Sequence, residues 1–185
     1  MTNRNEARHQ GWRAALLMLL CVAAAHARAD FCGRVVKVHD GDTVTVLAGG
    51  VERRVRLVGI DAPERGQPHG SAARRGLAAR VGGRVVQVIE RGTDSYGRTL
   101  GRVLVAGEDA NAAQVRDGFA WVYRRFENDP ALIAQEAEAR AARRGLWRDP
   151  EPLPPWVWRE RHSPKAAAQG ALSPGTAIVG QEERR

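Results

Sequence analysis

Three carboxylates and an arginine stand out within one short stretch, Val35 to Glu64, which reads VVKVHDGDTVTVLAGGVERRVRLVGIDAPE. They are Asp42, Asp61 and Glu64, with Arg56 between them. Carboxylates in this grouping suit Ca²⁺ or Mg²⁺, whose ligands are oxygens, and a guanidinium fork matches two oxygens of a phosphate. A phosphodiester under attack gains negative charge on its equatorial oxygens, and a hard cation and guanidinium clamps serve it where that charge grows. An EF-hand is excluded, because the twelfth residue counted from Asp40 or Asp42 is Val51 or Arg53 rather than Glu. Spacing alone leaves open a plainer reading, with Asp40 and Asp61 as turn residues and Arg53, Arg54 and Arg56 as a solvated strand face.

The elements that must position these groups are two consecutive hairpins. Asp40-Gly41 and Gly49-Gly50 are turn dipeptides flanked by β-branched residues, which predicts strands over about Arg34–His39, Asp42–Ala48 and Val51–Ile60. If Gly49-Gly50 is a two-residue loop, Ala48 pairs with Val51 and Thr43 falls opposite Arg56. Asp42 then starts the middle strand and Asp61 follows the third, at the same end of the meander. A straight third strand would carry Asp61 past that pairing by about 3.3 Å per residue, so a bend is required, and Gly59 is the residue that allows it. Pro63 turns the chain out of the sheet and leaves Glu64 near the same rim.

The runs VVKVHDGDTV, RVRLVGIDAPE and, further on, TDSYGRTLGRV resemble the staphylococcal-type nuclease (thermonuclease) family. The likeness covers about Gly33 to Trp147 in several ordered motifs. It implies an α+β fold, an OB-type five-stranded β-barrel with three α-helices, and Ca²⁺-dependent hydrolysis of DNA and RNA. By that resemblance Asp42 and Asp61 would ligate the metal together with the backbone carbonyl of Ala62, where the family more often has Thr. Glu64 would hold or activate the attacking water, and Arg56 and Arg98 would clamp the phosphate. Tyr96, in the turn with Asp94, would contact nucleotide. The family's later nucleotide-holding tyrosines correspond here to Tyr123-Arg124-Arg125-Phe126, where Arg124 and Arg125 could supply phosphate contacts instead. Arg98 cannot readily serve as a general acid, since a guanidinium titrates above about 12; its contribution is electrostatic.

The remaining segments read as scaffold. Ser71 is a suitable N-cap for a helix through about Val81, with Leu77 and Val81 on one face, and Gly76 weakens that helix by about 1 kcal/mol relative to Ala. Arg84 to Glu90 and Thr99 to Ala106 read as the fourth and fifth strands around the Gly92–Arg98 turn. Asn111 to Asp117 is a short helix ended by Gly118, and Phe119 and Trp121 are core residues. Asp129 caps a last helix with Pro130 at its first turn and Gly145 beyond its end. Its stripe is Leu132, Ile133, Ala137, Arg140 and Ala141, with Glu136 as a structural ion-pair member. Pro150 to Trp158 is expected to run extended over the barrel, anchored by Trp156 or Trp158. His69 is a loop histidine with no assigned part.

Residues 1–29 have the pattern of a secretory signal peptide: Arg4, Arg8 and Arg13, then an apolar Ala14–Ala25 too short to span a bilayer, then small-x-small sites ending at Ala27 and Ala29. The chain has 185 residues and a formal charge of +8. Removing that leader takes away four arginines and Glu6, so the charge falls by three to +5. The mature chain is then long enough for one domain with a core, and its basic balance suits an anionic partner. Cys32 would be the sole remaining cysteine, which excludes an intramolecular disulfide. The expected organisation is a nuclease domain over residues 30–160 and a disordered tail over 161–185, rich in Ala, Gly and charge. These features predict a periplasmic or secreted monomer acting on DNA or RNA, with no stable protein partner and no membrane anchor. The competing reading is a non-catalytic OB-fold binder of single strands on the same basic face.

Overall fold

The computed structural model describes residues 30–163. The meander opens it as β1 (Phe31–Val38), β2 (Thr43–Ala48) and β3 (Val51–Leu57). Gly49 and Gly50 have φ of 56° and 80°, the doubly left-handed backbone of a tight hairpin loop that favours glycine at both positions. Ala48 pairs with Val51 and Thr43 with Arg56, as the two-residue loop requires.

The third strand is shorter than predicted. It stops at Leu57, turns at Val58-Gly59 with φ 80° at Gly59, and resumes as a two-residue strand, β4 (Ile60–Asp61). The turn is held from two sides: Val58 N–H donates to the Gly101 carbonyl at 3.0 Å, and Asn111 Nδ2 donates to the Val58 carbonyl at 2.9 Å. The first hairpin is also wider than its Asp-Gly dipeptide suggests, since His39 N–H closes onto the Thr43 carbonyl and leaves three residues in the loop. Gly41 is needed there for close approach: a Cβ would lie 2.6 Å from the Cβ atoms of both Ala62 and Ala73.

Strands β5 (Val85–Thr93) and β6 (Thr99–Val105) complete the sheet, with a short β7 (Glu108–Asp109) at its edge. Strand order is β3-β2-β1-β5-β6-β7, and β3 also pairs in parallel with β6, closing β1, β2, β3, β5 and β6 into a five-stranded barrel. Closure gives the barrel strands two partners each and an interior filled by Val35, Val44, Val46, Val55, Leu57, Val86, Val88 and Val103, all buried. Strand β8 (Trp121–Val122) pairs antiparallel with β4, placing Asp61 opposite Trp121.

Among the described residues, four α-helices cover the barrel rather than the expected three. Helix α1 spans Gly70–Val81 and buries Ala73, Leu77 and Val81. Its cap is His69 in left-handed backbone, with no side-chain capping bond, and not Ser71. The chain instead enters the helix through backbone bonds from Gln67 N–H to the Glu64 carbonyl and from Gly70 N–H to the Gln67 carbonyl. Gly76 makes room for Phe119, whose ring a Cβ would meet at 2.5 Å. Helix α2 (Ala110–Arg116) is capped by the Asp109 carboxylate. Helix α3 (Pro130–Ala141) is capped by Asp129 and buries Leu132, Glu136 and Ala139; of the expected stripe, Ala137 and Ala141 are exposed and Arg140, half exposed, lies over the Trp121 and Trp147 rings.

A 3₁₀ turn (Gly145–Arg148) follows, and then the largest departure from expectation. The proline-rich segment is not extended throughout: Pro155–Arg161 forms helix α4 with Pro155 in its first turn, where a missing N–H costs nothing. Trp156 anchors it, 5.7 Å from Trp121 edge-on and 5.7 Å from Tyr123 in a stack. Trp158 stacks on His162, the residue that caps the end of this helix. Cys32 is exposed and unpaired. Among the described residues no helix is long and apolar enough to cross a membrane. The predicted leader and all but the first residues of the predicted tail lie outside the described residues.

Candidate active site

The sequence bends at Gly59 and again at Pro63, and these two bends gather the acidic groups at one rim of the barrel. Asp42 follows the first hairpin loop, and Asp61 ends β4. Both are nearly fully buried, at 6% and 1% exposure. Arg56 on β3 reaches both: Nη1 lies 3.3 Å from Asp42 Oδ2 and Nη2 lies 2.9 Å from Asp61 Oδ1. Nη1 also donates to the Leu57 and Ile60 carbonyls, each at 2.9 Å. One guanidinium therefore ties two carboxylates and the backbone of the β3–β4 bend into a single unit. Asp42 accepts further bonds from the Ala62 N–H at 2.7 Å and the Thr43 hydroxyl at 3.1 Å.

Burial in the barrel rim disfavours the charged form of both carboxyls. Desolvation pushes the Asp42 carboxyl up to about 6, with Arg56 opposing and Asp40 adding to the rise. Asp61 is raised as well, first by desolvation and then by the charge of Asp42, against hydrogen bonding from Arg159. With Glu64 beside them, these acids outnumber by one the two guanidiniums, Arg56 and Arg159, that meet them. The carboxylate donors are all hard oxygens, which suits a divalent cation of the Mg²⁺ or Ca²⁺ kind. No group of three or more His, Cys, Asp or Glu converges as a ready-made cage among the described residues, so backbone, water or substrate oxygens would complete the shell.

These groups face a cleft of about 750 Å³ lined also by Glu64, Asp94, Tyr96, Arg98, Tyr123 and Arg159. The dimension and the mixed lining fit a nucleotide-sized ligand. The "Staphylococcal nuclease homologue" family pattern matches residues 54–149, which takes in Arg56, Asp61, Glu64 and Arg98. The chain belongs to the staphylococcal nuclease family. It is 46% identical over 158 residues to Protein ParB of Escherichia coli, covering 80% of this chain and 89% of that protein. It is equally identical over 134 residues to an uncharacterized endonuclease of Escherichia coli O157:H7, covering 72% and 88% respectively. Identity to a micrococcal nuclease of Shigella flexneri is 43% over 158 residues, covering 80% of this chain and 91% of that one.

Within this staphylococcal-nuclease-type barrel, the residues singled out from sequence divide into three sets. Asp42, Asp61, Ala62, Arg56 and Glu64 share the rim of the cleft. Asp94, Tyr96 and Arg98 line the same cleft from the β5–β6 turn. There Asp94 organises the turn by accepting from the N–H groups of Tyr96 and Arg98, both at 2.9 Å, and from Arg98 Nε at 2.7 Å. Burial alone would raise the Asp94 pKa, but these bonds outweigh it and lower it. Tyr96 is 84% exposed, its ring under the Arg98 guanidinium, whose carbon is 5.5 Å from the ring centroid. Arg124 forms the third set: it lies outside that cleft, paired with the buried Glu136 at 2.7 Å and facing a separate cavity of about 660 Å³.

Sequence reasoning missed three groups. Gln114, fully buried on α2, donates to the Gly41 carbonyl at 2.7 Å and the Ala73 carbonyl at 3.1 Å, fixing the loop that presents Asp42. Asn111 accepts from Val103 N–H and donates to the Val58 and Gly101 carbonyls, fixing the bend that presents Asp61. Arg159, on α4, bonds both oxygens of Asp61 and one of Glu64. Burial alone would lower the Arg159 pKa, but its bonds to Asp61 and Glu64 prevail and raise it.

Proposed function

We propose that this chain is an exported, Ca²⁺-dependent nuclease that hydrolyses phosphodiester bonds of DNA, RNA or both by metal-assisted attack of water. Family membership carries the phosphodiester hydrolase assignment. The single observation that supports the metal-dependent reading best is Arg56 bridging two buried carboxylates at the rim of an open cleft. A structural salt bridge would not need a second buried acid, and here the charge of Asp42 adds to the rise that burial imposes on Asp61.

In this reading Asp42 and Asp61, with the Ala62 carbonyl, would hold the cation, which when bound would withdraw charge from the scissile phosphate. Glu64 takes and orients the water that attacks phosphorus, and accepts its proton. Arg56, already fixed by four oxygen contacts, can face the phosphate without reorganising, the property that makes preorganised donors effective. Arg98, positioned by Asp94, holds the far side of the phosphate, and Tyr96 offers an exposed ring to the base. Export follows from the basic and apolar pattern of residues 1–29, with a periplasmic or secreted monomer as the product.

The test is digestion of single-stranded DNA, double-stranded DNA and RNA by the mature chain with Ca²⁺, Mg²⁺ or EDTA. Cleavage with Ca²⁺ and none with EDTA is the expected outcome. Salt-sensitive binding that survives EDTA, with no loss of substrate, would make the protein a single-strand binder instead.

A further inference from the structure

One strong contact has no part in the reaction just described. Arg159 comes from α4, and its Nη2 lies 2.8 Å from Asp61 Oδ2 while Nη1 lies 3.2 Å from Asp61 Oδ1 and 2.7 Å from Glu64 Oε1. It therefore sits on the oxygens that a cation at Asp61 and a water at Glu64 would need. We propose that Arg159 is a displaceable internal counter-ion, which holds Asp61 and Glu64 in the metal-free protein and leaves Asp61 when a divalent cation binds. The inference rests on the reading of Asp61 as a metal ligand.

The two arginines at this rim differ in the way such an exchange needs. The Arg56 side chain is 13% exposed and is tied to two backbone carbonyls as well as two acids. The Arg159 side chain is 43% exposed and its cleft contacts are to carboxylates alone. Water competes for the half-exposed guanidinium and for Glu64 but not for Asp61, whose side chain is 1% exposed, so Arg159 leaves Asp61 only as another cation takes its place; moving Arg56 would strip the β3–β4 bend of its support. Formal charge points the same way. Asp42, Asp61 and Glu64 stand against two guanidiniums, leaving the cluster one negative charge, and exchanging Arg159 for a divalent cation brings it to zero. A route out exists as well, since Arg159 lines both the acidic cleft and the adjoining cavity beside Tyr123, Trp156 and Glu160. Its helix has seven residues and is held chiefly through Trp156 on Trp121 and Tyr123, away from the acids.

Calorimetric titration of Ca²⁺ into the mature chain and its Arg159→Gln and Arg159→Lys variants tests this without reference to turnover. Removing a competitor should tighten binding, by about tenfold for Arg159→Gln if the pair contributes on the order of 1.4 kcal/mol, with Arg159→Lys between it and the unaltered chain. Hydrogen exchange on the unaltered chain supplies a reading that needs no variant: Ca²⁺ should speed exchange of the α4 amides while protecting those of β4. Affinity that is unchanged or weaker in Arg159→Gln, or α4 amides that Ca²⁺ protects, would overturn the proposal. If the unaltered chain binds Ca²⁺ but the variant binds it no tighter, this inference alone fails. If neither binds Ca²⁺, Mg²⁺ or Mn²⁺, the metal reading of the cleft fails and takes this inference with it.

Discussion

Two places in this molecule bury carboxylates against arginines, and they do so for different ends. Beneath α3, Glu136 is a single acid, 1% exposed, that accepts from the Val122 N–H at 3.0 Å, from Arg124 at 2.7 Å, and has Arg140 at 3.5 Å. At the barrel rim, Asp42, Asp61 and Glu64 are three acids held by two guanidiniums, Arg56 and Arg159, and burial lifts the pKa of both aspartates. The first arrangement closes on itself: a backbone donor and two cations satisfy one anion, and β8 is pinned to α3. The second is short of positive charge and opens on a cleft. A protein that wanted only rigidity at the rim would have used one acid, as it does at Glu136. The surplus carboxylate is what supports the proposed reading of the rim as a site for a cation and a phosphate.

The sharpest way to break this distinction is to remove one charged partner from each cluster. Arg56→Ala takes away a preorganised donor from the proposed phosphate site, and kcat should fall by about 10²–10³. Measurement well below the melting temperature separates that loss from unfolding, since Arg56 also braces the Leu57 and Ile60 carbonyls. An unchanged kcat would reduce the rim to a salt bridge of the Glu136 kind. The converse change is Glu136→Ala, which leaves the Val122 N–H without its acceptor. Arg124 and Arg140 are about half exposed and return to water, so the expected cost is that of one orphaned buried group, about 1–3 kcal/mol in denaturant unfolding. The kcat of that variant should stay within about twofold of the unaltered chain, on the same footing that far-side structural changes spare the transition state. A loss of rate beyond its loss of folded protein would put Glu136 in the chemistry.

How far these clusters could be read from sequence follows from what each rests on. The rim was legible because local rules fix it. Gly49-Gly50 sets a two-residue loop, the loop sets the pairing of Thr43 with Arg56, and a bend at Gly59 is then needed to bring Asp61 back. The barrel strands were legible from their β-branched runs. The supports of the rim were not. Gln114 and Asn111 are polar residues on a short helix, and nothing in their spacing separates a buried amide that holds a loop from one in solvent. Helix α4 was misjudged because a proline-rich run favours extended chain, although Pro154-Pro155 before WVWRER also fits a helix start. Arg159 went unseen with it, since its partners lie 95 and 98 residues away. The expected stripe of α3 holds for Leu132 and Ile133 and departs beyond them, because Glu136, a charged residue, continues the buried face.

The finest test of the comparison is one of sign. The ordinary carboxyl value for Asp42 is 3.8 and burial pushes it to about 6, so the metal-free native state holds a proton more tightly than the unfolded chain does. Stability from the neutral form is therefore complete below about pH 4 and is lost as pH rises through about 6. Asp42→Asn keeps an acceptor for the Ala62 N–H and cannot ionise. In EDTA, the D42N chain and the unaltered chain should melt at similar temperatures near pH 4, and D42N should gain progressively as pH climbs to 7. Asp61 does not reverse this sign, because the charge of Asp42 raises its pKa and removing that charge relieves it. Saturating Ca²⁺ at pH 7 should turn the gap the other way, since a cation that binds the native state alone stabilises it, and only the unaltered chain keeps both ligands. If the EDTA gap is flat across pH, or D42N is the less stable throughout, the Asp42 charge is favourable in the native state. The rim would then be a satisfied cluster like that of Glu136, with no deficit for a metal to fill.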